Sequence, residues 1–108
     1  MTVKLRRSNP CYPDLTPGHP YVVIGIEADE FRLLNDAGRP YLYPPRLFKV
    51  VDPHESADWI SERGEDGVRY AYPAPLNGRG FFEDFFDDRP KAVRTFWRVV
   101  NQQLAEVA

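Results

Sequence analysis

Few side chains in this sequence are equipped for catalysis or metal binding. Two histidines, His19 and His54, and one cysteine, Cys11, stand among sixteen acids and fourteen lysines and arginines. The run Asp52-Pro-His54-Glu55 sets an imidazole between carboxylates, the residue types of a proton relay or a transition-metal site. No second histidine or cysteine stands at a ligand spacing from it, so a closed zinc site does not follow. Cys11 falls in the turn region Pro10-Cys-Tyr-Pro13 with no adjacent base to activate it, and reads as a plain loop thiol. Being alone, it forms no internal disulfide and fits a reducing cytosol. Asn77-Gly-Arg-Gly80 precedes a helix start, but it lacks the lysine and hydroxyl of a phosphate-binding loop, and the acids that follow repel phosphate. The sequence thus offers no catalytic set, no metal set and no cofactor motif, and it reads as a non-enzymatic chain.

What remains is charge beside aromatic weight. Residues 81–88, Phe-Phe-Glu-Asp-Phe-Phe-Asp-Asp, hold four of the seven phenylalanines. At helical spacing Phe81, Phe82, Phe85 and Phe86 share one face, and Glu83, Asp84, Asp87 and Asp88 share the other. The rings read as core and the acids as solvent-facing. These acids lack the alternating oxygen ligands and central glycine of a calcium loop. A second acidic stretch, residues 52–66, contains Asp52, Glu55, Asp58, Glu62, Glu65 and Asp66 against Arg63 alone. The two stretches together carry −9 in a chain whose net charge is −2.

Basic residues are grouped as well: Lys4, Arg6 and Arg7 at the start, and Arg89, Lys91, Arg94 and Arg98 near the end. A basic groove lined by Tyr41, Tyr43 and Tyr70 would suit single-stranded nucleic acid. The total charge gives that reading no support.

The elements that must position these residues are short. Eleven prolines favour brief strands and tight connections. Val3–Arg6 alternates and reads as a strand; the proline-rich residues 8–20 read as a loop. Tyr21–Ile26, Phe31–Leu34, Pro40–Tyr43 and Phe48–Val51 read as four strands in succession, with Gly25 marking a bulge and Asn35-Asp-Ala-Gly38 a hairpin turn. Trp59-Ile60 reads as the anchor of a helical turn, and Val68–Tyr72 as one more strand. From Pro90 to Glu106, Val93, Phe96, Trp97, Val100 and Leu104 recur at helical spacing. The longest apolar runs are too short to span a bilayer, and no signal peptide is visible.

Leu15-Thr-Pro-Gly18, Tyr21–Glu27, Phe31–Asp36 with Gly38, Leu42-Tyr-Pro44, Phe48–Asp52 and Asp58-Trp59 form a succession of turn-and-strand landmarks. In these the chain resembles a group of small bacterial proteins with an SH3-like β-barrel, some of which are immunity proteins of polymorphic toxins. The resemblance covers about residues 15–88. It implies a non-enzymatic barrel and an inhibitor role, and brings no catalytic residues.

The expectation is one α+β domain, residues 1–108. A small bent antiparallel sheet or SH3-like barrel of five to six strands occupies about residues 1–72, and the acidic-aromatic turn with the C-terminal helix about 80–106. Phe81, Phe82, Phe85, Phe86, Phe96, Trp97 and Val100 are expected against Val22, Ile24, Ile26, Leu34, Phe48 and Val50 or its neighbour. The expected function is cytoplasmic binding of a protein partner such as a basic toxin domain, without cofactor or membrane. The contacts would be Asp58, Glu62, Glu65, Asp66, Glu83, Asp84, Asp87 and Asp88. A nucleic-acid-associated barrel is the alternative.

Overall fold

Tyr21-Val-Val-Ile places β-branched and aromatic residues in unbroken succession, a run that a strand buried on both faces tolerates and an exposed one does not. In the computed structural model, which describes residues 1–107, it forms the centre of the longest strand, and residues 21 and 23–26 are all buried. Among the described residues there are seven strands: β1 (Thr2–Leu5), β2 (Pro20–Glu27), β3 (Glu30–Leu34), β4 (Pro40–Tyr43), β5 (Phe48–Asp52), β6 (Trp59–Arg63) and β7 (Arg69–Pro73). Two helices follow, α1 (Phe81–Phe86) and α2 (Pro90–Val107). The class is α+β, and the seven strands pair antiparallel throughout, with one isolated parallel bridge between Leu5 and Pro17.

The sheet is not closed. One edge of β2 pairs with β3, and β3 with β4. The other edge is shared: β1 takes its first half, bringing β5 with it, and β7 takes Ile26, bringing β6. The fork falls at Gly25, where the β2–β3 register shifts between Val23 and Gly25, as a bulge there requires. A Cβ on Gly25 would stand 2.2 Å from Tyr72 Cδ1 and 2.9 Å from the Ala71 carbonyl, so glycine is what lets β7 approach. The Asn35–Gly38 turn forms as its sequence dictates, with Gly38 at φ 74° and Asn35 Oδ1 accepting from the Ala37 and Arg39 N–H groups. The β2–β3 turn uses Ala28 and Asp29 at positive φ (49° and 66°), held in place by Asp29, which hydrogen-bonds both ways with the Arg69 backbone.

The largest departure from the sequence reading is β6. Trp59-Ile-Ser-Glu-Arg63 forms a strand where a helical turn is expected, paired residue by residue with β7 from Trp59–Pro73 to Arg63–Arg69. It is an edge strand, almost wholly exposed, so it needs no alternating apolar face and shows none. The other strands lie within one or two residues of their expected bounds.

The hydrophobic interior divides in two. One cluster gathers Val3, Val23, Ile26, Leu33, Phe48 and Ala71 inside the bent sheet; the other packs Ile24, Tyr72 and Leu76 against Phe85, Ala92, Phe96 and Val100 of the helices. Of the sheet partners expected for the helices, Ile24 and Leu34 are in the helical cluster. Ile26 and Phe48 point into the other core, Val22 belongs to neither cluster, and Val50 and its neighbour Val51 on β5 are exposed. On α2, Ala92, Phe96 and Val100 are buried while Leu104 is exposed. On α1 the four rings are not equivalent. Phe85 is buried, Phe81 and Phe82 are half-buried, and Phe86 is exposed against Tyr41, the ring centroids 5.8 Å apart.

Candidate functional site: an acidic, aromatic cleft

Antiparallel register fixes which side chains of the β6–β7 hairpin share a face. Glu62 stands opposite Tyr70, and Ile60 opposite Tyr72. On the same side of the sheet, Glu27 ends β2. The 74–80 connection and the start of α1 rise beside this face and enclose a cleft of about 490 Å³. Its walls are Tyr70, Tyr72, Phe81 and Phe82, and its carboxylates are Glu27, Glu62 and Glu83, with Arg79 as the cation among the lining residues. The two acidic stretches of the sequence therefore meet, each contributing one glutamate.

Behind the cleft, Glu27 and Tyr72 of its lining join a buried polar network. Arg32, only 5% exposed, donates from Nε to the Tyr72 hydroxyl at 2.7 Å, from one terminal nitrogen to the Pro40 carbonyl at 2.6 Å, and from the other to Glu27 Oε1 at 3.2 Å. Tyr72 donates in turn to the same Glu27 oxygen at 3.0 Å. Burial pushes the Tyr72 phenol above the usual tyrosine range, with Arg32 acting against that shift, so the hydroxyl keeps its proton and can donate. Each of the three Arg32 nitrogens thus has an acceptor, and the Phe82 ring covers a face of the guanidinium plane at 3.9 Å. Glu27 already answers Arg32, so Glu62 and Glu83 supply the charge left open toward solvent.

All eight acids expected as contacts are exposed. Asp58 precedes β6 and accepts from the Ser56 hydroxyl. Glu65 and Asp66 occupy the β6–β7 turn. Asp84 lies in the first turn of α1, Asp87 caps its C-terminal end, and Asp88, at φ 56°, links it to α2. The ion pairs among the described residues are Arg32–Glu27 and Arg69–Glu55. The charge of these eight acids is therefore not neutralised by the basic residues of α2, although the sequences adjoin.

The chemistry-bearing residues singled out elsewhere are not brought together. His54 borders a cleft of about 430 Å³ with Asp52 and Glu106, but Asp52 Oδ1 accepts the backbone N–H of His54 (2.9 Å) rather than meeting its ring. Among the described residues no three or more His, Cys, Asp and Glu side chains gather as a metal set. Cys11 is an exposed loop thiol. The tyrosines of the nucleic-acid alternative disperse: Tyr43 is buried and donates to Asp14, Tyr41 rests on Phe86, and Tyr70 faces the acidic cleft. Sequence reasoning missed Glu27, Tyr72 and Arg32. An arginine in the middle of the apolar strand Phe31-Arg-Leu-Leu34 was the available signal, because a buried guanidinium demands a carboxylate partner.

Among the described residues no helix is long and apolar enough to cross a membrane. Comparison with protein-family models, with curated proteins and with solved structures finds no match to this chain.

Proposed function

We propose that this chain is a non-enzymatic protein-binding module of SH3-like build, whose acidic side receives a basic surface of a protein partner. The build is supported by β1 pairing with both β2 and β5 and by the 3₁₀ turn Pro45–Leu47 that leads into β5. The β6–β7 hairpin and the helices are additions to that frame. The observation that carries the function is the meeting of Glu62 and Glu83 in one aromatic-walled cleft, with Asp58, Glu65, Asp66, Asp84, Asp87 and Asp88 exposed and, among the described residues, free of ion pairs. Complementary charge speeds and orients the encounter, and aromatic side chains supply contact area at small entropic cost. A toxin domain with a basic active-site cleft is a partner such a surface would neutralise, in keeping with the immunity-protein resemblance. The lone thiol suits a cytoplasmic setting.

The test is fluorescence anisotropy with labelled arginine-rich and glutamate-rich peptides of equal length. The arginine-rich peptide binds, and rising salt weakens it. Glu62→Lys with Glu83→Lys lowers the affinity at least tenfold while the circular dichroism spectrum is unchanged, and Asp84→Lys with Asp87→Lys weakens it further. Unchanged affinity in the second pair removes the outer face of α1 from the interface. Unchanged affinity in both pairs ends the acidic-surface reading. A single-stranded oligonucleotide that binds more tightly than the basic peptide would put the nucleic-acid reading in its place.

A further inference from the structure

The antiparallel β1–β5 ladder sets Leu5 opposite Phe48, so the chain leaving β1 runs beside the chain entering β5. The Arg6 N–H donates to the Leu47 carbonyl at 2.9 Å, and Arg6 Nε donates to the Phe48 carbonyl at 2.9 Å. Arg6 is thereby fixed at its Nε, with its terminal nitrogens left over. The ladder brings Arg6 and Arg7 beside Arg46, and the three wall a cleft of about 200 Å³ completed by Ser8, Asn9 and Leu47. No acid lines it.

Arg6, Arg7 and Arg46 are exposed, and among the described residues none is within ion-pair reach of a carboxylate. Three like charges crowded together repel, and an anion among them converts that repulsion to attraction. The other polar lining groups point to the same ligand. Asn9 Oδ1 already accepts the Cys11 N–H at 2.9 Å, which leaves Asn9 Nδ2 as a donor, and Ser8 adds a hydroxyl. The cleft therefore presents donors around concentrated positive charge within a chain of net charge −2.

We propose that Arg6, Arg7, Arg46 and Asn9 form an oxyanion site that takes the phosphate group of a small molecule. Guanidinium forks match tetrahedral oxyanions in pairs of parallel hydrogen bonds, and Asn9 adds a neutral donor. The site shares no residue with the acidic cleft and stands or falls independently of it.

The test is a ¹H–¹⁵N NMR titration of the full chain with inorganic phosphate at low ionic strength, with sodium chloride at matched ionic strength as the control. Phosphate produces saturable shifts confined to residues 6–9 and 46–48, and chloride does not. Arg7→Gln with Arg46→Gln, positions whose side chains make no hydrogen bond among the described residues, weakens binding at least tenfold while the remaining spectrum is retained. Adenosine monophosphate binding at the same residues, more tightly than inorganic phosphate, identifies a phosphomonoester as the source; weaker binding identifies the free ion. Shifts that fail to saturate, that chloride reproduces, or that survive the double substitution overturn the site. So does a short single-stranded oligonucleotide that binds more tightly and also shifts Arg94 and Arg98 of α2.

Discussion

The guanidinium of Arg32 sits 3.9 Å from the centre of the Phe82 ring, and this contact joins the sheet to the helices. Arg32 belongs to β3 and Phe82 to the first turn of α1. Between them they close the polar network of Glu27 and Tyr72 against the helical core, with Phe82 lining the acidic cleft and Arg32 buried behind it. Stability and the candidate site therefore share a part, and substitutions there separate the two contributions.

Replacing Arg32 by methionine keeps apolar bulk but leaves the Glu27 carboxylate without its cation and the Pro40 carbonyl without its donor. Glu27 is 35% exposed and can draw on water, so the cost is that of the lost hydrogen bonds, about 1–3 kcal/mol, and urea unfolding of Arg32→Met is expected in that range. Phe82→Leu removes the ring quadrupole and costs about 1 kcal/mol through that contact. The double variant should be less destabilised than the two singles combined. Strict additivity would show that ring and guanidinium do not interact.

Gly25→Ala drives a methyl group into Tyr72 and toward the Ala71 carbonyl. Overpacking of this kind costs about 1–3 kcal/mol, and thermal unfolding should fall accordingly. Gly78→Ala, where a Cβ meets nothing within 4 Å and φ is not positive, is the control and should unfold near the parent temperature. A parent-like Gly25→Ala would show that β7 is not held against β2 as described.

Acid should reveal the Glu55–Arg69 pair. Arg69 donates to both Glu55 oxygens, one of them at 2.6 Å, and these hydrogen bonds hold the carboxyl below its usual range against the opposing effect of burial. A folded-state pKa below the unfolded one means that the contribution is fully present above the unfolded pKa and is lost as pH falls through the folded one. Glu55→Gln should therefore be less stable than the parent at neutral pH, and the two should converge in strong acid. A constant difference across that range would mean that the carboxylate charge is not what Arg69 stabilises.

Local chemistry made much of the sheet legible. The β-branched run at residues 21–26, the Asn35–Gly38 turn and the α2 periodicity each form where they are read, because each satisfies its preference within a few residues of itself. β6 was illegible for the opposite reason. Its hydrogen bonds come from β7, and an exposed edge strand carries no burial pattern to betray it. The Phe81–Phe86 rings read as one face, yet the structure grades them from buried Phe85 to exposed Phe86. A six-residue helix meets the core over less than its whole length.

By itself the sequence determined an α+β chain with short strands, one long amphipathic C-terminal helix, and two acidic stretches. Composition and periodicity are properties of neighbouring residues, and these features need nothing more. Only the tertiary structure decided that Glu62 and Glu83 share a cleft, that Arg32 is buried behind it, and that Arg6 and Arg7 meet Arg46. Strand register sets those meetings, and register depends on which faces the whole chain can bury together.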